Sequence, residues 1–459
     1  MKKEYLILDK VQGPLVMLSG VKEAFYDEIV DIVIEGRESK KGKVVQILGD
    51  KAVIEVFQGT TGISVNNAAV AFSGRTLEIN LSKDILGREF NGIGEPRDGG
   101  GNIYSSKRYD VNGRPMNPVA RRYPRNFIQT GISSIDSLTT LIRGQKLPIF
   151  TGNGMPHNEL AAQIVRQAKI SGSGKEEFAV VFAAMGIKHD DADFFRKSFE
   201  QAGVLERVVM FTNLADDPIV ERIVTPRCAL TAAEYLAFEE NMHILVILTD
   251  ITNYCEALRE ISSLREEVPS RKGYPGYLYS DLAAIYERAG MIENCAGSIT
   301  QIPIVSMPND DITHPVPDLT GYITEGQIVL SRGIYQRDIY PPVNILPSLS
   351  RLMKDGIGEG YTREDHAEVS NQIFASYSRV QEIIALAQVI GEDELPDIDK
   401  IYLEFGRKFE MNFLKQDFQE ERTINESLDL AWKMLSILPR SELDRISPEH
   451  IKRYYEGDK

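Results

Sequence analysis

Six short apolar segments, separated by longer stretches of helical character, constrain the fold of this chain more than any other feature. They are KLPIF, FAVVFAAMG, RVVMFTN, HILVILTD, GSITQIPIV and GQIVLSR, and all of them follow Phe127. Continuous apolar runs of this length indicate strands that are buried on both faces, because a half-exposed strand would alternate apolar and polar residues. Strands that alternate with helices form a parallel sheet covered by helices on both sides. The sequence therefore predicts a central α/β domain.

The region before this domain has a different pattern. The segments EIVDIVIEG, GKVVQILGD and KAVIEVFQG are rich in Val and Ile and are bounded by turn residues, and LGDKA predicts a hairpin turn. Such strands favour a small β-barrel, because closure leaves no exposed strand edge. The stretch Asn91–Asn102 is rich in Gly and Pro, which indicates a connector.

The region after Arg351 loses the strand-like runs and gains helical periodicity. Thr362 with Asp365, and Thr423 with Glu426, have the spacing of a capping box, which predicts two helix starts. Apolar residues then recur at helical spacing, as expected for a helical bundle. They are Val369, Ile373, Phe374, Tyr377, Val380 and Ile384, followed by Leu428, Ala431, Trp432, Leu435 and Leu438. We therefore predict a multidomain α/β protein with a β-barrel over residues 1–75, an α/β domain over 76–350 and a helical bundle over 351–459.

Composition excludes several classes of protein. The formal net charge of −15 argues against broad adsorption to nucleic acid or to an anionic membrane. The apolar runs are far shorter than the ~20 residues that span a bilayer, and the start MKKEYLILDK does not read as a signal peptide. The three cysteines, Cys228, Cys255 and Cys295, are too few and too far apart for a disulfide framework or a zinc site. We expect a cytoplasmic protein that reaches a membrane only through partners.

The segment IFTGNGMPHNEL, Ile149–Leu160, has the outline of a phosphate-binding loop between a strand and a helix. A working loop follows G-x-x-x-x-G-K-[ST], in which Lys supplies a positive charge and the hydroxyl holds Mg²⁺. Only Gly152 is kept here, because His157 replaces the second glycine, Asn158 the lysine and Glu159 the hydroxyl residue. A carboxylate ~4 Å from a phosphate charge costs about 4 kcal/mol at an effective dielectric constant near 20. These residues alone favour a plain strand–turn–helix connection over a nucleotide site.

Other candidates for nucleotide chemistry are weaker. The segment SGSGKEE, Ser171–Glu177, has Glu176 where a hydroxyl is required, so we interpret it as a surface loop. Asp250 ends the strand-like HILVILTD, where a carboxylate either binds Mg²⁺ through water or, more commonly, caps the next turn. The six histidines form no pair at helical spacing, and we predict no metal site.

Taken together, these segments closely resemble the α/β subunit family of rotary ATPases over nearly the whole chain. PPVNILPSLS (Pro341–Ser350) fits the family's signature, Phe127–Phe150 resembles its lead-in to the phosphate loop, and Arg271–Gly290 resembles its central block. Within the family the chain is most similar to non-catalytic V/A-type members, whose loop is degenerate in the same way. In catalytic members the strand after the loop helix ends in Gly-Glu-Arg, and the Glu orients the attacking water. Here Gly186 is followed by Ile187, which can neither position nor deprotonate water.

The resemblance implies a RecA-like central domain and a hetero-hexameric head. Three such chains would alternate with three catalytic A subunits around a rotor shaft, and peripheral stalk subunits would join the head to the membrane. The machine would couple ATP synthesis or hydrolysis to H⁺ or Na⁺ transport. No cofactor is assigned to this chain alone, whereas Mg-ATP or ADP would bind at the interface with the A subunit. Gly152, Asn158, Glu159 and Asp250 would form a degenerate nucleotide site with weak binding or none.

Two further segments gain a role through the resemblance. Arg351 follows the signature serines, where the family has an arginine that points across the interface to the neighbour's γ-phosphate. Its spacing alone favours a salt bridge near a helix start. Val389–Phe405 resembles the acidic helix–turn–helix that faces the rotor, and the alternative is a solvated acidic turn.

Two other function classes compete with this interpretation. A self-sufficient ATPase requires a lysine, a hydroxyl and a glutamate that are absent at the matching positions. A ring-type nucleic-acid motor requires a basic channel, and the net charge weighs against it.

Overall fold

A computed structural model describes residues 3–5, 8–36, 38–113, 116–123, 125–170 and 177–457. The predicted surface loop at Ser171–Glu177 therefore lies outside the described residues, except for Glu177. The chain divides into two compact units. The first unit consists of Met1–Asn117 and Ala179–Arg288, and the second of Pro118–Phe178 and Ala289–Lys459. The domain boundaries at residues 75 and 350 remain predictions.

The strands are β1 (Lys3–Tyr5), β2 (Leu8–Gln12), β3 (Leu15–Leu18), β4 (Ile29–Ile34), β5 (Lys40–Leu48), β6 (Lys51–Val56), β7 (Ala68–Phe72), β8 (Glu78–Asn80), β9 (Glu89–Asn91), β10 (Arg108–Asp110), β11 (Ile128–Gln129), β12 (Ile149–Gly152), β13 (Lys169–Ile170), β14 (Phe178–Ile187), β15 (Val208–Leu214), β16 (His243–Thr249), β17 (Gly290–Met291), β18 (Ser298–Met307), β19 (Gly326–Leu330) and β20 (Val343–Ser350). The helices are α1 (Ser133–Leu138), α2 (His157–Gln167), α3 (His189–Gln201), α4 (Ile219–Glu234), α5 (Ile251–Leu264), α6 (Leu278–Tyr286), α7 (Pro315–Ile323), α8 (Arg332–Tyr335), α9 (His366–Ile390), α10 (Asp397–Lys408), α11 (Ile424–Leu435) and α12 (Pro448–Tyr454).

The first seven strands form one antiparallel sheet in the order β1-β7-β4-β5-β6-β3-β2. The strands β1 and β2 stand at opposite ends of this order, although Tyr5 and Leu8 are close neighbours in sequence. A link of this length spans at most about 10 Å, and paired strands lie ~4.8 Å apart. The sheet must therefore curl until its two ends approach each other. The predicted β-barrel is confirmed, as is its hairpin turn at Gly49–Asp50 between β5 and β6.

The first unit also contains a parallel set of strands. In it β14 lies between β16 and β15, and β9 pairs with the other edge of β15. Every residue of β15 and β16 is buried, as their continuous apolar sequences predict. Three of the six apolar segments thus form neighbouring strands, of which β14 and β15 pair in parallel. Asn91 ends β9 and does not belong to the predicted connector.

The second unit contains the strands formed by the other three apolar segments. In it β12 lies between β18 and β19 and is parallel to both. The family signature forms a further strand, β20, which pairs antiparallel with β19. Because parallel strands end at the same edge, the residues after β12, β18 and β19 come together there.

The helical bundle follows in the same unit. Its predicted capping box at Thr423 and Glu426 is confirmed, because Thr423 Oγ1 accepts from the Glu426 amide at 3.3 Å and Glu426 Oε2 accepts from the Thr423 amide at 2.7 Å. The predicted box at Thr362 and Asp365 is wrong. Helix α9 begins after Asp365, whose carboxylate accepts from the Trp432 indole at 2.6 Å and makes no cap.

The apolar face predicted for α9 is only partly correct. Val369, Ile373, Tyr377 and Val380 are buried, whereas Phe374 and Ile384 are exposed. No helix in the described ranges has both the length and the apolar content that crossing a bilayer requires.

Candidate functional site

The loop between β12 and α2 is a tight turn. Its backbone closes through bonds from the Met155 amide to the Gly152 carbonyl at 3.2 Å and from the His157 amide to the Met155 carbonyl at 2.8 Å. Gly154 has φ of +74°, a conformation that glycine adopts without strain. The N-cap of α2 is Pro156, so no side chain caps the first amides of this helix. The backbone keeps the strand–turn–helix outline that the sequence predicts.

The two residues that replace the lysine and the hydroxyl lie in the first turn of α2. Asn158 is partly buried, and the carboxylate of Glu159 is exposed. Burial of the Tyr340 hydroxyl, and next the negative charge of Glu159, raise the pKa of Tyr340. The Tyr340 hydroxyl donates to Gln163 Oε1 at 2.8 Å on the same helix. The start of α2 thus carries a negative charge where a phosphate would need a positive one.

An ion pair covers the start of the loop. Arg332 donates to the Asp310 carboxylate through Nε at 2.7 Å and through Nη2 at 2.9 Å, and Nη2 also donates to the Asn153 carbonyl at 2.9 Å. A Cβ atom on Gly152 would lie 1.8 Å from Asp310 Oδ1, so this carboxylate rests directly on the glycine. The hydrogen bonds from Arg332 hold the pKa of Asp310 below its usual value. The cation nearest to this glycine is thus already neutralised by a carboxylate.

Sequence reasoning missed Asp310 and Arg332. Each follows the end of a strand, since Asp310 comes three residues after β18 and Arg332 two residues after β19. The signal that singled out Asp250, a charged residue after an apolar strand, was therefore present in both segments. The sequence alone does not single out these two residues, because it does not give the order of the strands in the sheet.

Ile187 and Asp250 belong to the first unit. Ile187 is the last residue of β14 and is buried, with 7% of its surface exposed, so an apolar side chain stands where the resemblance predicts the glutamate of catalytic members. The Asp250 side chain caps α5 by accepting from the Thr252 amide at 2.8 Å. Of the two alternatives that the sequence allows for Asp250, Mg²⁺ binding and capping, the structure shows capping. Within the described residues, no three His, Cys, Asp or Glu side chains are grouped so that they could hold a metal ion.

Arg351 directly follows β20 in the second unit. Its amide donates to the Glu325 carbonyl at 2.9 Å, which extends the β19–β20 ladder by one residue. The preceding Ser350 anchors the strand, because its hydroxyl donates to the Thr140 carbonyl at 2.9 Å and accepts from Gln145 Nε2 at 3.0 Å. The Arg351 backbone is therefore held firmly.

The side chain of Arg351 is exposed, and among the described residues it makes no hydrogen bond or ion pair. The salt bridge that its spacing favours is thus not formed within the described chain. A guanidinium that is always charged and has a fixed planar fork of donors remains available to an external anion.

The segment Val389–Phe405 forms the end of α9, a turn and most of α10. Gly391 ends α9 with φ of +92°, and Pro396 precedes α10. The side chain of Val389 is 82% exposed, and Glu392 in the turn accepts from Arg407 Nη2 at 2.6 Å. The helix–turn–helix is confirmed, whereas its contact with a rotor stays a prediction.

Comparisons with known proteins match these features over almost the whole chain. The β-barrel domain of the ATP synthase alpha/beta family matches residues 10–74, its nucleotide-binding domain residues 131–350, and the C-terminal domain of V and A type ATP synthase residues 355–455. The V-type ATP synthase beta chain 2 of Clostridium tetani is 75% identical over 100% of both chains. The B subunit of the A-type ATP synthase from Aeropyrum pernix is 60% identical over 99% of this chain and 98% of its own.

A solved structure agrees with these sequence relatives. The ATP synthase subunit NeqB from Nanoarcheaum equitans superimposes with a TM-score of 0.73 at 40% identity, over 92% of this chain and 98% of that one. The chain therefore belongs to the ATP synthase alpha/beta family, and within it to the B subunits of V/A-type rotary ATPases.

Proposed function

We propose that this B subunit is the non-catalytic member of the rotary head, and that it completes the active site of a neighbouring catalytic A subunit. Its own loop lacks the groups that ATP hydrolysis requires. Asn158 and Glu159 occupy the positions of the lysine and the hydroxyl, and the Asp310 carboxylate rests on Gly152. Since these residues do not fit Mg-ATP, no hydrolytic step is assigned to this chain's own loop.

The observation that carries the proposal is the unpaired side chain of Arg351, among the described residues, on a firmly held backbone. Charge spreads over the outer oxygens of the γ-phosphoryl group in the transition state of phosphoryl transfer. A guanidinium delivered by the next subunit stabilises that charge more than it stabilises bound ATP, so it lowers the barrier. Mg-ATP or ADP would then bind at the shared interface, and the A subunit would supply the phosphate loop and the base.

The proposal extends to the other partners. The exposed Val389 and the acidic turn after α9 form a surface suited to the rotor shaft, and peripheral stalk subunits would hold the head still. The chain would reach the membrane only through this complex, on its cytoplasmic side. ATP synthesis or hydrolysis in the head would drive, or be driven by, H⁺ or Na⁺ movement in membrane subunits.

The proposal is tested by replacing Arg351 in the assembled complex with the A subunit. Arg351→Ala should lower kcat by about 10³–10⁵-fold, the range for arginine fingers, while assembly and KM change little. Arg351→Lys should restore only part of the rate, because an ammonium keeps the charge but loses the planar fork. The matched control is Lys354→Ala, which removes another exposed cation three residues away.

Two outcomes would contradict this function. Arg351→Ala complexes that hydrolyse ATP within a few-fold of wild type would exclude the finger role. A loss of assembly, with full turnover in the complexes that survive, would instead show that Arg351 has a structural role. The Lys354→Ala complex should assemble and turn over normally in either case.

A further inference from the structure

An acidic residue lies directly across the ladder from Arg351. Gly326 pairs with Ser350, and the next pair brings Glu325 opposite Arg351, where the Arg351 amide donates to the Glu325 carbonyl at 2.9 Å. Side chains of directly opposed residues have Cβ atoms about 5 Å apart, which is close enough for an ion pair. Glu325 is thus well placed to capture the guanidinium of Arg351.

The Glu325 carboxylate is bound by a lysine instead. Lys146 Nζ lies 2.9 Å from Glu325 Oε1, and the Lys146 amide donates to Oε2 at 2.9 Å. Both carboxylate oxygens therefore have a partner from one residue. Gln145 Nε2 also donates to the Glu325 carbonyl at 3.0 Å, so the backbone of Glu325 is held from the same side.

Burial makes the lysine a persistent partner. The Lys146 side chain is 4% exposed, whereas that of Glu325 is 30% exposed. A buried ammonium without a carboxylate would carry a large desolvation cost, so Lys146 holds Glu325 strongly. The guanidinium of Arg351 is solvated and has no comparable need for a partner.

We propose that Lys146 is a positioning residue that keeps Glu325 away from Arg351 and so leaves the finger free to reach the neighbouring subunit. This inference rests on the function proposed for Arg351. It assigns a role in turnover to the ion pair between the buried Lys146 and the partly exposed Glu325.

The test is a set of variants in the assembled complex with the A subunit. Lys146→Met removes the charge and leaves Glu325 able to bind Arg351. Because exposed ion pairs are weak, Glu325 should hold Arg351 only part of the time, and kcat should fall about twofold to sixfold while KM for Mg-ATP stays unchanged. Lys146→Met combined with Glu325→Gln should return kcat to near the wild-type value, because the competing charge is gone.

The control is Lys415→Met, which removes a different lysine–carboxylate pair, Lys415 Nζ–Asp338 Oδ2 at 2.9 Å, and should leave kcat unchanged. Native mass spectrometry verifies that each preparation contains whole complexes. If the pair is merely structural, Lys146→Met should lower the melting temperature without changing kcat per complex, and that result would overturn the inference. A fall in kcat that the added Glu325→Gln does not reverse would also overturn it.

The same data separate this inference from the function on which it depends. If Arg351→Ala turns over at the wild-type rate, the finger itself is refuted. If Arg351→Ala is slow but Lys146→Met has wild-type kcat, only the role of Lys146 is refuted.

Discussion

The placement of Arg351 depends on Gly326, and Gly326→Ala tests this. Gly326 begins β19 opposite Ser350 and has φ of +133°. A Cβ atom there would lie 2.0 Å from the Leu349 carbonyl oxygen and 3.1 Å from the Ser350 Cα. These are backbone atoms, so the clash is relieved only if β19 and β20 shift relative to each other, which changes the position of Arg351 relative to β19.

The magnitude follows from two contributions. An alanine at positive φ costs roughly 1–2 kcal/mol of backbone strain. Forcing packed backbone apart costs about a further 1–3 kcal/mol, as in overpacked cores. Gly326→Ala should therefore destabilise the β19–β20 pair by about 2–5 kcal/mol.

The assay is hydrogen exchange of the isolated chain, read on peptides that cover β19 and β20. Exchange through local opening of this pair should accelerate by about 1.5–3.5 powers of ten, since 1.4 kcal/mol corresponds to tenfold. Assembled complexes of the variant should also have a lower kcat. The control is Gly321→Ala in α7, where the nearest atom is Gln327 Oε1 at 3.8 Å and alanine favours the helix. Unchanged protection in Gly326→Ala would refute the argument.

Two further predictions concern the loop and a buried acid. Asn158→Lys should not give the isolated chain ATPase activity, because Glu159 still repels phosphate and Ile187 still cannot activate water. Steady ATP turnover by the purified variant would contradict the argument that several groups are missing. Glu221, which accepts from the Gly92 amide at 2.8 Å, has its pKa raised by burial to about 7. The folded chain therefore keeps this proton up to about pH 7 while the unfolded chain releases it near 4.5, so this group makes the unfolding free energy decline between those values. Glu221→Gln should remove that decline and raise the unfolding free energy at pH 8 by up to about 3 kcal/mol. Urea titrations at pH 5 and pH 8 measure this, and an unchanged pH dependence in the variant would exclude this role of Glu221.

The buried strands, and the absence of phosphate-binding groups from the loop, could be predicted from the sequence. Continuous apolar runs form buried parallel strands because their side chains have no alternative to the core. The capping box at Thr423 and Glu426 was predictable for the same kind of reason, since both partners lie within one helical turn. The replacement of a lysine by Asn158 is likewise visible without coordinates.

Partners distant in sequence were decided only by the tertiary structure. Asp365 has the spacing of a cap, yet its carboxylate is bound by Arg363, two residues before it, and by the Trp432 indole, 67 residues away. Glu325 lies opposite Arg351 only because β19 and β20 pair in one register, and Lys146 reaches that carboxylate from 179 residues earlier in the chain. Apolar burial and capping depend on neighbours within a few residues, so local sequence specifies them. A charged side chain takes whichever partner the packed strands bring within a few ångströms, and no local pattern contains that choice.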